Sequence, residues 1–194
     1  NGAKIINGSF GKYFSSNPEW VIDAIRYASK KDVLVVAAAG NESKDLDLLS
    51  NDNYPNDQFF NKNEFSDTFI KVGASTINLN ENFTAYFSNY GKINVDIFAP
   101  GVDIYSSVPN DKYKFQDGTS MASPVVSGIA SLIMSYFPKL SAKKVKEIIL
   151  KSGIDIDLKI GNLGSNKHFR EYSKSGKLIN AYNALILASK SKRE

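Results

Sequence analysis

Ser120 lies in a segment whose residue types and order could support nucleophilic chemistry, Gly118-Thr119-Ser120-Met121-Ala122-Ser123-Pro124. Residues 120–136 would place small and apolar side chains on every side of a helix, which predicts a buried helix there. A serine at a helix N-terminus lies beside free backbone N–H groups and the positive end of the helix dipole, and both stabilise negative charge on a carbonyl oxygen. Such a serine can be a nucleophile, although Ser120 taken alone is more simply explained as a helix cap, because caps are common and nucleophiles are rare.

Asn41 is a second candidate, because it follows a strongly apolar segment. Residues 33–39 are a continuous run of β-branched and small side chains, which is typical of a parallel strand covered on both faces. Asn41 would then emerge at the carboxyl edge of the sheet, where sites in α/β proteins usually lie. Its side-chain amide could donate a hydrogen bond to an oxyanion, and a turn asparagine after Gly40 is the plainer alternative.

A βαβ unit is predicted to position Asn41. Residues 5–6 indicate a short apolar strand, and Asn17 followed by Pro18 is typical of a capped helix start. An apolar stripe then recurs at helical spacing, formed by Val21, Ala24, Ile25 and Ala28. Beyond the second strand, the polar residues 41–67 predict a long surface loop.

The rest of the chain predicts short strands followed by helices. The strand candidates are residues 69–72, 95–98 and 104–107. One further helix is expected over residues 141–152, with Gly153 as its stop. A last helix is predicted from an apolar set made of Leu178, Ala181, Leu185 and Ala188.

The composition excludes several classes of site. The 194 residues include no cysteine, which rules out a disulfide scaffold, a zinc ribbon and a thiol nucleophile. No apolar run approaches the roughly 20 residues that span a bilayer. The net charge of +4 comes mostly from lysines late in the chain, which predict a solvated face. Since no recognition module accompanies them, no nucleic-acid partner is expected.

Taken together, these segments resemble the subtilisin-like serine protease family. The segment around Ser120 looks like the family's nucleophile signature, and Ala37-Ala38-Ala39-Gly40-Asn41 looks like its oxyanion strand. Asn7-Gly8-Ser9-Phe10-Gly11 looks like its substrate-binding edge. Lesser matches occur in the same order as in the family, at residues 72–74, 87–91, 99–101 and 180–181.

The resemblance implies a fold and a set of site residues. The expected fold is α/β, a three-layer sandwich with a mostly parallel central sheet, of which residues 1–189 would form the C-terminal part and residues 190–194 a basic tail. Ser120 would be the nucleophile and, through its backbone N–H, one oxyanion donor, with the Asn41 amide as the other. The substrate would pair with Ser9, Phe10 and Gly11, and its side chain before the cleaved bond would contact Ala38, Ala39 and Gly40.

The resemblance also implies that part of the catalytic machinery lies elsewhere. The family needs an aspartate and a histidine upstream of the oxyanion strand, and neither segment is in this chain. The one histidine, His168, lies downstream in a polar stretch that resembles no catalytic element. We therefore expect a serine endopeptidase as the full-length protein and an inactive isolated chain. The alternative is a truncated or base-lacking module that binds peptides or is structural.

The expected partners and location follow from the same resemblance. They are a polypeptide substrate, the upstream part of the same domain and, if that part is absent, a second copy in a dimer. No cofactor is evident, although the resemblance allows structural calcium. The expected location is extracellular or the cell envelope. The small residues Ala38, Ala39 and Gly40 predict a preference for an apolar or aromatic substrate side chain.

Overall fold

The computed structural model describes residues 2–58, 63–161 and 167–191. The helices are Pro18–Lys30 (α1), Thr119–Tyr136 (α2), Ala142–Ser152 (α3) and Ala181–Ser191 (α4). The longer strands are Ile5–Gly8 (β1), Leu34–Ala38 (β2), Phe69–Ser75 (β3), Ile97–Pro100 (β4), Ile104–Val108 (β5) and Lys112–Gln116 (β6). Two-residue strands follow at Ile154–Asp155 (β7), Lys159–Ile160 (β8), Lys167–His168 (β9) and Lys177–Leu178 (β10).

A six-stranded sheet organises these elements in the order β1-β2-β3-β4-β10-β7. All its neighbouring pairs are parallel except β10 with β7. Every residue of β2 and of β3 is buried, as the unbroken apolar run at residues 33–39 predicts for strands covered on both faces. The expected α/β fold with a mostly parallel sheet is confirmed.

Helices cover the two faces of this sheet. Side chains of α2, α3 and α4 pack against one face of β2 and β3, in a cluster that includes Val36, Ile70 and Val126. On the other face, Ile25 of α1 packs with Val35 and other side chains that alternate with the first set. The result is a three-layer arrangement in which β2 ends at the candidate residue Asn41.

One predicted strand is confirmed with a partner that was not predicted, and one predicted helix starts later in the structure. The strand at residues 104–107 is confirmed as β5, which pairs with β6 in a separate antiparallel hairpin. Asn110 and Asp111 turn this hairpin with positive φ angles of 69° and 55°, a turn signal that the sequence interpretation did not use. Leu178 belongs to β10 and pairs with Phe98 of β4, so the last helix begins only at Ala181.

The helix starts are only partly as predicted. Pro18 is the first residue of α1, but the Asn17 side chain makes no capping hydrogen bond and donates to Ser16 instead. At α3, by contrast, the Ser141 hydroxyl accepts from the Lys144 N–H at 3.2 Å. Of the predicted basic tail, residues 192–194 lie outside the described residues, and the boundary at residue 189 stays a prediction.

Candidate active site

The backbone carbonyl of Ser120 lacks its usual hydrogen bond within α2 and is bonded by Ser9 instead. Pro124 lies inside α2 and has no N–H to bond the Ser120 carbonyl, four residues earlier. The Ser9 hydroxyl takes that place and donates to Ser120 O at 2.8 Å. In return, Ser120 Oγ donates to Ser9 O at 3.1 Å. The strand exit after β1 is thus attached directly to the N-terminus of α2.

Asn7 extends this attachment along the helix. Its Nδ2 donates to Ser9 Oγ at 2.9 Å, while its Oδ1 accepts from the hydroxyls of Ser123 at 2.8 Å and Ser127 at 2.9 Å. The two serines lie one helical turn apart and therefore face the same strand. Asn7 holds β1 and α2 in register beside Ser120.

Asn41 is oriented by Thr119. Its Oδ1 accepts from both the backbone N–H and the hydroxyl of Thr119, each at 2.9 Å, and the N–H of Gly40 donates to the same hydroxyl at 3.0 Å. Since these donors occupy the oxygen, the amide nitrogen is the free end of the side chain. Among the described residues Nδ2 has no hydrogen-bond partner, so it can donate to a bound molecule.

A cleft of about 180 Å³ brings these groups together. Its lining consists of Phe10, Gly11, Tyr13, Ala38, Gly40, Asn41, Glu42, Asn53, Thr119 and Ser120. Both Ser120 and Asn41 are in this set, as their expected roles at one oxyanion site require. Ala38 and Gly40 form one wall, whereas Ala39 does not line the cleft. Side chains alternate along a strand, and Ala39 packs instead into the core beside Phe98.

The expected substrate-binding edge lies just beyond β1 and is not itself part of a strand. β1 ends at Gly8, and Phe10 and Gly11 make no backbone hydrogen bond to the described residues. Pairing resumes at Lys12, which exchanges backbone hydrogen bonds with Tyr54 at 2.8 and 3.0 Å. The Phe10 side chain is 70 % exposed. This segment therefore leaves backbone groups available along one side of the cleft, while Ser9 is bonded to Ser120.

Sequence reasoning missed four residues that shape the cleft. Thr119 orients Asn41, and Tyr13 Oη donates to Glu42 Oε2. Asn53 forms the floor, where the Lys71 ammonium donates to its Oδ1 at 3.0 Å. Thr119 and Glu42 are each next to a predicted site residue and could have been examined for that reason. Tyr13 and Asn53 lie in loops without any motif, and only the fold brings them to the site.

His168 does not line the cleft. Its Nδ1 lies 3.5 Å from the exposed Asp157 carboxylate, in the short β8–β9 pair. The preceding Ser165 and Asn166 lie outside the described residues. Among the described residues that line the cleft, none is a histidine that could accept a proton from Ser120.

A group of buried charges lies next to the floor of the cleft. The Lys146 ammonium has three carboxylates around it, at 3.9 Å from Asp57, 3.2 Å from Glu64 and 3.7 Å from Asp96. Burial, and then the neighbouring Asp96 carboxylate, raise the pKa of Asp57 to about 8. Burial lowers the pKa of Lys71 to about 8, against the attraction of Asp57 and Asp96.

Structural calcium does not fit these carboxylates. Calcium takes six to eight oxygen ligands, whereas this group encloses the ammonium of Lys146. In the described part of the chain, no group of three or more histidine or acidic side chains is arranged to hold a metal ion. None of the described helices combines the length and the apolar character needed to cross a bilayer.

Known proteins are similar to this chain in sequence and in fold. The subtilase family model matches residues 1–176. Subtilisin DY of Bacillus licheniformis is 38% identical over 146 residues, which cover 75% of this chain and 48% of that protein. The cell wall-associated protease of Bacillus subtilis (strain 168) is 37% identical over 171 residues, which cover 88% of this chain and 17% of that protein. The chain thus spans less than half the length of these two relatives.

A solved protease structure is also similar to this chain in fold. The prenylagaramide maturation protease PagA superposes with a TM-score of 0.73 at 27% identity, over 95% of this chain and 62% of that one. Because a family model matches most of the sequence and a protease of similar fold matches most of the structure, the chain belongs to the subtilase family.

Proposed function

We propose that this chain is the nucleophile-bearing part of a serine endopeptidase, in which Ser120 attacks the substrate carbonyl and Asn41 stabilises the resulting oxyanion. The observation that carries the proposal is the orientation of Asn41. Its oxygen is held by Thr119, so its unpartnered Nδ2 is presented to the cleft that Ser120 also lines. Family membership implies a polypeptide substrate.

The remaining steps follow from the described groups. The Ser120 backbone N–H lies at the start of α2, where the first N–H groups have no helical partner, and it serves as the second oxyanion donor. Ser9, Phe10 and Gly11 bind the substrate main chain as an added strand, with Phe10 and Gly11 supplying the free backbone groups. Ala38 and Gly40 contact the side chain before the cleaved bond.

The proton acceptor comes from outside the described cleft. Ser120 Oγ donates to the Ser9 carbonyl, which is a poor base, and an unassisted serine hydroxyl is a weak nucleophile. We therefore propose that the isolated chain is inactive and that an upstream histidine and aspartate complete the site in the full-length protein. Without them, the same cleft makes the chain a peptide-binding module.

An exposed apolar groove supports the proposal that another polypeptide segment packs on this chain. A groove of about 340 Å³ separates β1 from α1, and Trp20 at its rim is 75 % exposed. Among the described strands β1 pairs only with β2, so its other edge is open. The groove is lined by Ile6, Gly8, Phe10, Trp20, Val21, Ala24, Ile25, Ala28, Val35, Ala37 and Pro55. We assign this face to the upstream part of the same domain, or to a second copy of the chain when that part is absent.

The proposed location is extracellular or the cell envelope. One relative is, by its name, a cell wall-associated protease. Structural calcium is not assigned, since the buried carboxylates enclose Lys146.

The test compares the full-length protein, its Ser120→Ala variant and the isolated 194-residue chain on casein and a chromogenic peptide. We expect hydrolysis only by the full-length wild type. Hydrolysis that persists in Ser120→Ala would remove Ser120 as the nucleophile. Hydrolysis by the isolated chain that Ser120→Ala abolishes would show that no upstream base is required.

A further inference from the structure

The turn that carries Asn41 leaves the sheet without regular secondary structure. β2 ends at Ala38, and two residues of the turn have positive φ angles, 100° at Gly40 and 57° at Ser43. Thr119 holds the oxygen of the Asn41 side chain, but bonds to that one atom leave the amide nitrogen free to pivot about it. The position of Nδ2 therefore depends also on what holds the backbone of the turn.

Asn89 bonds the backbone directly before Asn41. Its Nδ2 donates to Ala39 O at 2.8 Å, and its backbone N–H donates to Gly40 O at 3.0 Å. The approach is close, since a Cβ on Gly40 would lie only 2.4 Å from Asn89 Nδ2. The Asn89 carboxamide thus occupies the space that a side chain at residue 40 would need.

The same carboxamide also bonds the backbone directly after Asn41. Its Oδ1 accepts from the backbone N–H of Glu42 at 3.2 Å and from that of Lys44 at 2.8 Å. Its Nδ2 further donates to Glu42 Oε2 at 2.9 Å and to Tyr13 Oη at 2.6 Å. One completely buried side chain thus connects both ends of the turn, and Asn41 lies between the residues that it bonds.

The sheet holds Asn89 itself in place. The backbone N–H of Ala74, on β3, donates to Ser88 Oγ at 2.9 Å, and Ser88 Oγ donates to Asn89 O at 2.9 Å. Ser88 and Asn89 are both completely buried, so water does not compete for these bonds. The turn is therefore attached to β3 through Asn89, just as it is attached to α2 through Thr119.

We propose that Asn89 is a positioning residue for the oxyanion site, which holds the backbone of the turn so that Asn41 Nδ2 meets the developing negative charge. The inference rests on the proposed function and adds to it a residue that does not line the cleft. Because Asn89 acts through Asn41, its loss should weaken binding of the transition state more than binding of the substrate. A displacement of about 1 Å in such a group can cost about 100-fold in rate.

The test places Asn89→Ala in a double-mutant cycle with Asn41→Ala in the full-length protein, with kcat and KM measured on one peptide. We expect Asn89→Ala alone to lower kcat about 10- to 100-fold with little change in KM. In the Asn41→Ala background the same substitution should lower kcat less than about 3-fold, because no amide is left to misplace. An equal loss in both backgrounds, or an effect on KM alone, would overturn the inference.

Asn94 provides the matched control. Its Nδ2 donates to Leu46 O at 3.0 Å and to Asp47 Oδ1 at 3.1 Å, a few residues beyond the turn, and none of these residues lines the cleft. Asn94→Ala should lower the melting temperature and keep the wild-type kcat. A kcat loss as large as that of Asn89→Ala would show that general destabilisation is responsible, which also overturns the inference.

Two further measurements keep the inference testable. If Asn89→Ala does not fold, Asn89→Ser, whose hydroxyl can keep one of the bonds, takes its place in the cycle under the same criteria. If the full-length wild type hydrolyses no peptide, the proposed function fails, and crystal structures of the wild type and the Asn89 variant give the distance from Asn41 Nδ2 to the Ser120 backbone nitrogen. A change of about 1 Å or more supports the positioning role, and an unchanged distance overturns it.

Discussion

Ser9 and Ser120 exchange hydrogen bonds across 111 positions of sequence, each hydroxyl donating to the other residue's backbone carbonyl. The bond to Ser120 O is possible because Pro124 leaves that carbonyl without its helical donor. The segment proposed to bind the substrate and the residue proposed to attack it are therefore parts of one hydrogen-bonded unit.

Ser9→Ala should lower the free energy of unfolding by about 1 kcal/mol, because it leaves the Ser120 carbonyl without a donor. In a Pro124→Ala background, the new N–H at position 124 can bond that carbonyl within α2. The cost of Ser9→Ala should then fall below about 0.5 kcal/mol. Urea unfolding of the full-length protein and its three variants measures both values, and an equal cost in the two backgrounds would contradict the explanation through Pro124.

Asn41→Asp should lower kcat about 100- to 1000-fold with little change in KM, because it replaces the free amide donor by an oxygen. The variant keeps the oxygen that accepts from the Thr119 backbone and hydroxyl, so the melting temperature should change little. Peptide hydrolysis by the full-length enzyme gives the kinetic values. Asn51→Asp, in the surface loop, is the control and should keep the wild-type kcat. An Asn41→Asp enzyme with wild-type kcat would remove Asn41 from the oxyanion hole.

Oxidation of Met121 should inactivate the full-length enzyme. Met121 directly follows Ser120 and is half-buried, so a sulfoxide would place a polar group beside the attacking hydroxyl. Peroxide treatment should abolish most of the activity of the wild type and of a Met134→Leu control, but little of that of Met121→Ala. Equal loss in all three proteins would show that another oxidation is responsible.

Stability should depend on pH through Asp57. The pKa of its carboxyl is raised from 3.8 to about 8 in the folded chain, so between these values the folded protein holds a proton that the unfolded chain releases. The contribution of Asp57 is therefore fully present below pH 3.8 and is lost as the pH rises through about 8, with a slope of up to about 1.4 kcal/mol per pH unit.

Asp57→Asn removes this titration. Between pH 5 and about 7.5, the free energy of unfolding of the wild type should fall relative to that of the variant as the pH rises. The window stays below pH 8 because Lys71, with its pKa lowered from 10.5 to about 8, contributes in the opposite direction between those two values. Glu171→Gln, in the surface segment after β9, is the control. A wild-type-minus-variant difference that is constant with pH would mean that Asp57 is ionised throughout.

The fold could be predicted where local pattern and tertiary environment agree. The unbroken apolar run at residues 33–39 identified a doubly covered parallel strand, and the small side chains after Ser120 identified the buried helix. The pairing of β5 with β6 was not predicted, and Leu178 of the two-residue β10 was wrongly placed in the last helix. Each is fixed mainly by what it pairs with, and a two-residue strand such as that at Leu178 is too short for any hydrophobic period.

The residues of the candidate site also divide into those that the sequence could predict and those that only the fold brings together. Ser120 and Asn41 could be named because motifs surround them, and the structure brings both to one cleft, while their catalytic roles stay predictions. Ala39 was named because the motif was taken as a block without its alternation; its side chain packs in the core, and its contact with a substrate stays a prediction. Asn53 and its partner Lys71 could not be found, since they meet only through the packing of a loop on β3.

The parallel pairing of β1, β2 and β3 determines when the cleft can exist. Parallel strands cannot form as local hairpins, so their contacts, like those of Ser9 with Ser120, close only after most of the chain is available. Until α2 packs on β1, Ser120 lies neither beside Asn41 nor against the segment that is proposed to bind the substrate. A partly folded copy therefore lacks the cleft in which the proposed chemistry would take place.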